Sequence, residues 1–196
     1  MIWKIIFLVL TVPLFGKDIY FTRSGSVSFF SSTPIEDIKA INEQTTCVLD
    51  LETGDVSFRI PIRGFIFKNG LMQEHFNENY LESDTYPNAS FTGSIEGWKD
   101  ITLSEKLQPV SIKGTMNIHG ISKDISESGN ILMKGNRVIG SATFKITVTD
   151  YEIEIPKILR DNIAKVVDVT VDISLKKNEQ VFICIYGPDH LANSSG

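Results

Sequence analysis

"VDVTVDISLK", residues 167–176, decides the fold class. Val167, Val169, Val171, Ile173 and Leu175 alternate with Asp168, Thr170, Asp172, Ser174 and Lys176. Successive side chains of a strand point to opposite faces, so this spacing makes one dry face and one wet face. A strand buried on both sides reads as a continuous apolar run, whereas clean alternation belongs to an antiparallel sheet with water on one side. The same rhythm sets Ala142, Phe144, Ile146 and Val148 against Thr143, Lys145, Thr147 and Thr149. It also sets Val56, Phe58, Ile60 and Ile62 against Ser57, Arg59, Pro61 and Arg63.

Outward from these strands the connections are short. Glu52-Thr53-Gly54-Asp55 and Lys134-Gly135-Asn136-Arg137 have the chemistry of tight hairpins, with glycine or asparagine supplying a positive φ. Shorter or more broken strand patterns lie around 18–31, 36–49, 88–97, 109–119 and 122–133. That makes about eight strands, joined largely neighbour to neighbour. No helical segment is long enough for a crossover between parallel strands. The expectation is an all-β protein, an antiparallel β-barrel, because closure removes the unpaired edges that a flat sheet exposes.

Two segments break the strand rhythm. In "LMQEHFNENYLESD", residues 71–84, Met72, Phe76 and Tyr80 fall four apart on one helical stripe, and Gln73, Glu74, Asn77, Glu78 and Glu82 take the remaining face. Gly70 precedes the segment, and Pro87 follows it, pushing Tyr86 into an extended conformation. Residues 157–165 read as a short helical turn. One or two short helices are thus expected to cap the barrel ends.

The ends of the chain carry a different signal. Lys4 precedes an apolar run from Ile5 to Phe15, closed by Gly16 and the polar Lys17-Asp18. This is a signal-peptide pattern, too short for the roughly 20 apolar residues of a spanning helix. The expected organisation is a signal peptide over 1–16, a barrel domain over 17–177 and a C-terminal tail over 178–196 that adds at most an edge strand. No stable transmembrane anchor is expected after cleavage, and the expected location is periplasmic or secreted. The chain has 19 Lys+Arg and 24 Asp+Glu; losing Lys4 with the signal leaves 18 − 24, or −6. Such a balance, without basic residues interleaved with aromatics, does not suit nucleic acid. Cys47 and Cys184 form no recognisable disulfide framework, and their pairing is open.

Motifs that carry chemistry are sparse. His75, His119 and His190 lie far apart and outside any metal-binding spacing, so no metal or cofactor is expected. His75 beside the Met72–Tyr80 stripe reads as a capping histidine, and His119 in Ile118-His119-Gly120 as a structural hydrogen bond at a bend. No G-x-S-x-G is present. Asp and Glu fall mostly at wet strand positions or turns. Alternation alone leaves open whether the interior is filled or hollow.

One resemblance narrows this. "LMQEHFNENYLESDTYPNASFTG", preceded by "GSVSFFSSTPIEDIKAINEQT" and followed by "VSIKGTMNIHGISKDI" and "DYEIEIPKILRDNIAKVVDVTVDISL", resembles the YceI-like family of secreted bacterial lipid-binding proteins over about residues 24–175. The shared hallmarks are Tyr86-Pro87 followed by small residues and Phe91, a strand leading into His119-Gly120, and the closing strand Val167–Leu175. The resemblance implies a lipocalin-like barrel whose interior accepts a polyisoprenoid or similar amphiphile. Within that implication, Met72, Phe76 and Tyr80 would gate or line the mouth. Phe29, Phe58, Ile60, Phe91, Met116, Phe144, Ile146 and Val169 are interior candidates from alternation.

The expected function is a non-catalytic periplasmic binding or carrier protein. The alternatives are a small-barrel enzyme using His75 or His119 on a bound amphiphile, and an envelope or stress protein with a filled core. The expected partner is the amphiphilic lipid, and the choice between monomer and homodimer is open.

Overall fold

The alternating segments form nine strands: β1 (Ile19–Ser32), β2 (Asp37–Asp50), β3 (Asp55–Pro61), β4 (Phe65–Phe67), β5 (Asn88–Ile95), β6 (Gln108–Ile118), β7 (Ile121–Lys134), β8 (Arg137–Thr147) and β9 (Val166–Lys177). They belong to a computed structural model that describes residues 18–156 and 162–178. The expected signal segment and all of the expected tail except Asn178 lie outside the described residues. So do Cys184 and residues 157–161 of the expected second helix, of which 162–165 is turn and bend.

Every pairing is antiparallel, in the order β1-β9-β8-β7-β6-β5-β3-β2, and β2 pairs back onto β1 to close the barrel. β4 is not a ninth stave. Both β3 and β4 pair with β2, β3 at Thr46–Leu49 and β4 at Ala40–Asn42, with a single turn at Ile62–Gly64 between them. Pro61 has no N–H for the ladder, so the strand breaks there. Its carbonyl accepts from Asn42 Nδ2 at 2.7 Å, while Asn42 Oδ1 accepts from Gln44 N at 2.7 Å. Asn42 is fully buried, and these bonds make that burial tolerable. The result is an eight-stave barrel, as the alternation predicts.

The turns follow their residues. Gly54 and Gly135 take positive φ at the two hairpins expected from sequence. His119 and Gly120 form a two-residue turn with φ of 53° and 77°, the mirror-image geometry that matches strand twist in a hairpin. The His119-Gly120 segment is therefore a complete reversal between β6 and β7 rather than a bend within one strand.

The barrel is packed unequally along its axis. At one end Cys47, Leu49, Val138 and Leu175 are almost fully buried in a dry core. Trp98 seals that end, its Nε1 donating to the Leu51 carbonyl at 2.8 Å. At the other end lie two smaller clusters, one around Ile62, Leu81 and Tyr151 and one around Val27, Phe65 and Val169. Between them the packing is incomplete.

The expected helix over 71–84 is shorter and less regular than its stripe suggests. α1 (Gly70–His75) starts at Asn69, whose Oδ1 accepts from Leu71 N at 2.9 Å. The chain then widens into a π-turn over Phe76–Tyr80, closed by Leu81 N donating to the Phe76 carbonyl at 2.9 Å. Glu82, at φ 41°, ends it.

Candidate functional site

The incompletely packed end encloses a cavity of about 370 Å³ with an almost wholly apolar wall. All eleven residues singled out in the sequence border it. Phe29 comes from β1, Phe58 and Ile60 from β3, Phe91 from β5 and Met116 from β6. Phe144 and Ile146 come from β8 and Val169 from β9, while Met72, Phe76 and Tyr80 descend from the helical segment. The interior is thus neither filled throughout nor hollow throughout.

Phe58 and Phe91 make the floor, with ring centroids 6.3 Å apart. The Phe91 ring lies over Gly93 and Gly114, which oppose each other on β5 and β6. A Cβ on Gly93 would meet Phe91 Cζ at 2.7 Å, and one on Gly114 would meet it at 2.9 Å. Only glycine at both positions lets the ring lie flat and the two backbones close under it.

The lid is held chiefly by an aromatic cluster around Phe76, with Tyr80 packed against the cluster that holds Leu81. Phe76 stacks on Phe29 at 5.5 Å and meets Phe65 and Phe67 at 5.5 and 5.0 Å. No residue of Gly70–Tyr80 is fully buried, so this aromatic cluster supplies most of the attachment. Gln73 adds a bond, its Oε1 accepting from Phe67 N at 3.2 Å. Burial raises the Tyr80 phenol above its ordinary pKa.

One side of the wall parts. β7 pairs with β6 along its length and β8 with β9 along its length, but β7 and β8 pair only from Gly129 and Ala142 down to the hairpin. Beyond that, residues 148–156 turn inward, burying Tyr151 and Ile153 behind the seam. Lys123 Nζ lies 3.6 Å from Asp150 Oδ1 and 6.0 Å from the Tyr151 ring centroid. The Tyr151 phenol is raised above its ordinary pKa, first by burial and then by the charges of Asp150 and Glu127.

The Tyr86-Pro87 and His119-Gly120 hallmarks meet in space. The His119 ring packs on Tyr86 edge-on at 4.6 Å, and a Cβ on Gly120 would lie 2.6 Å from Tyr86 Cε1. His119 Nδ1–H donates to the Tyr151 carbonyl at 3.2 Å, which fixes its tautomer. Its Nε2 faces Glu82 Oε2 at 3.8 Å, beyond a hydrogen bond. His119 thus ties the hairpin to the foot of the lid and to the segment behind the seam, away from the cavity wall, whereas His75 borders the cavity.

Sequence reasoning missed several wall residues. Phe65 and Phe67 lie on the short β4, and Ile153 and Ile155 come from the inward-turned segment. Glu127 departs from the expectation that acids take wet positions: it stands on the inward row of β7 and borders the cavity, as does Glu36. Asp124 and Asp172 are exposed as expected. Among the described residues no group of His, Cys, Asp and Glu is arranged to hold a metal ion, and no helix is long and apolar enough to cross a membrane. Cys47 is a buried free thiol, which burial pushes far above its ordinary pKa.

No curated protein sequence matches this chain. Among solved structures, it is similar to a polyisoprenoid-binding domain from Saccharophagus degradans implicated in plant cell wall breakdown, with a TM-score of 0.72 and 15% identity, covering 83% of this chain and 100% of that one. It is also similar to BcnA of Burkholderia cenocepacia, with a TM-score of 0.64 and 12% identity over 77% of this chain and 95% of that one. At such identities the likeness is one of fold. Residues 21–175, most of the chain, match the family described as the YceI-like domain. The closed barrel, the joined Tyr86-Pro87 and His119-Gly120 hallmarks and this match agree: the chain belongs to the YceI-like domain family.

Proposed function

We propose that this protein binds an amphiphilic lipid of the polyisoprenoid class in the cavity, and that it acts as a non-catalytic carrier in the periplasm or outside the cell. The observation that carries the reading is the cavity itself: about 370 Å³ of apolar-walled space above a dense floor, under a lid held by aromatic contacts. Ligand sites of this kind are concave, mostly apolar and in this size range. An apolar chain leaving water gains about 0.8 kcal/mol per buried methylene. Ten such groups supply about 8 kcal/mol, within the range of what association costs in lost freedom of motion. Kinship of fold with the polyisoprenoid-binding domain supports the choice of ligand class. The apolar N-terminal run supports export.

The test is native mass spectrometry with organic extraction on protein recovered from its own cell envelope. The expected result is a stoichiometric prenyl or acyl adduct, and a mature N-terminus near Lys17. Phe58→Ala and Phe144→Ala should lose the adduct while remaining folded. Adduct-free protein that also refuses added polyprenyl lipids would overturn the reading.

A further inference from the structure

The two carboxylates on the cavity wall differ in what they hold. Glu36 accepts from Asn162 Nδ2 at 3.3 Å. Glu127 has no hydrogen-bond or ion-pair partner among the described residues. It stands opposite Ile112 of β6. On its other side β8 has already parted, so Glu127 and Phe144, the next inward positions above Gly129 and Ala142, border the cavity from the two lips of the unpaired seam. Lys123, on the same inward row, is committed to Asp150. No Lys or Arg among the described residues lines the cavity.

A carboxylate facing an apolar cavity without a partner is expensive unless water or a ligand satisfies it. Glu127 is only partly covered, so it meets the apolar interior on one side and the gap in the wall on the other. At the lid end Phe76 makes aromatic contacts, and the polar groups that border the cavity there are His75 and the Tyr80 phenol, neither of them a carboxylate. We propose that Glu127 is the polar-head subsite of this cavity, and that it takes a head that donates a hydrogen bond and carries no negative charge: an alcohol or an amine, not a phosphate. The proposal rests on the lipid-binding reading above and adds to it where the head sits and what it is. An anionic head there would stand beside a like charge, and their repulsion grows as the bound chain displaces water from the cavity.

The test titrates farnesol, farnesylamine and farnesyl phosphate into the folded chain by calorimetry at one salt concentration and neutral pH. Wild-type protein should bind the alcohol and the amine at least about tenfold tighter than the phosphate. Glu127→Gln, which keeps the shape and removes the charge, should bring the phosphate to within about threefold of the alcohol, and Glu127→Lys should reverse the order. Wild-type protein that takes the phosphate as tightly as the alcohol would overturn the subsite while leaving lipid binding in place. A Glu127→Gln variant that keeps the full discrimination would do the same. Failure of all three ligands to bind would overturn the lipid-binding reading, and the subsite with it.

Discussion

Alanine at position 114 probes the floor of the cavity most sharply. Its Cβ would lie 2.3 Å from the Thr92 carbonyl oxygen, 2.5 Å from Gly93 Cα and 2.9 Å from Phe91 Cζ. The first two are backbone atoms of the facing strand, so no side chain can rotate away to relieve them. Restoring ordinary carbon contacts of about 3.5–4.0 Å requires β5 and β6 to separate by about 1 Å. Overpacking costs about 1–3 kcal/mol, and a stretched ladder hydrogen bond adds about 1 kcal/mol, so the expected loss is about 2–4 kcal/mol. For a domain of this size that lowers Tm by about 5–15 °C. Thermal and denaturant unfolding followed by circular dichroism measure it. Gly70→Ala is the control, because a Cβ there meets nothing within 4 Å, and it should leave Tm nearly unchanged. Adding Phe91→Leu to Gly114→Ala removes the Phe91 Cζ contact and should recover only part of the loss. A Gly114→Ala protein that melts with the Gly70→Ala control would refute the steric argument. Full recovery by Phe91→Leu would show that the ring, not the backbone, sets the strand spacing.

Two further predictions follow from the lid and the dry core. Phe76→Ala should cost about 1–2 kcal/mol overall, because a short helix without its tertiary anchor is marginal in water. Hydrogen exchange should then show lost protection over 71–80 with the staves still protected, and uniform loss across the barrel would contradict the anchoring role of Phe76. Burial raises the Cys47 thiol above the ordinary value of 9.0, so the folded state keeps the proton after the unfolded state begins to release it. The stability contributed by the protonated thiol is therefore complete below pH 9.0 and falls as pH rises above it. In a Cys184→Ser background, Cys47→Ala should flatten that alkaline decline. A thiol reagent should react with Cys47 only through unfolding, and equally fast reaction with native and unfolded protein would disprove the burial.

β3, β8 and β9 were legible in the sequence because each separates a dry face from a wet one, although the alternation read into β3 and β8 runs two residues past their ends, into the turns at Ile62–Gly64 and Val148–Tyr151. β1 reads less cleanly because its pairing with β2 shifts register between Thr22 and Val27, and each bulge resets the alternation. β4 escaped notice because it has only three residues, and the Asn42 bond that ties the preceding turn to β2 spans 19 positions and leaves no local pattern. The lid stripe overstated the helix, because the backbone widens into a π-turn over Phe76–Tyr80, while Met72, Phe76 and Tyr80 still border the cavity. Glu127 had a visible signal: Ile121, Lys123, Ile125 and Glu127 alternate with Ser122, Asp124, Ser126 and Ser128, so charge falls on the row that elsewhere is apolar. That row looks disrupted because it borders the seam. The division between packed and hollow ends was illegible, since both give strands the same period.

The glycine-backed floor has a consequence for how such a protein changes over generations. Below it, side chains interlock, and a substitution at Leu49, Val138 or Leu175 threatens closure of the whole barrel. Above it, part of each wall side chain's surroundings is empty space, and an exchange of one apolar residue for another reshapes the cavity at less cost to the staves. Selection can therefore rework the upper wall while the lower end preserves the architecture. A chain that keeps its fold at 15% identity to a solved relative is what such a partition permits.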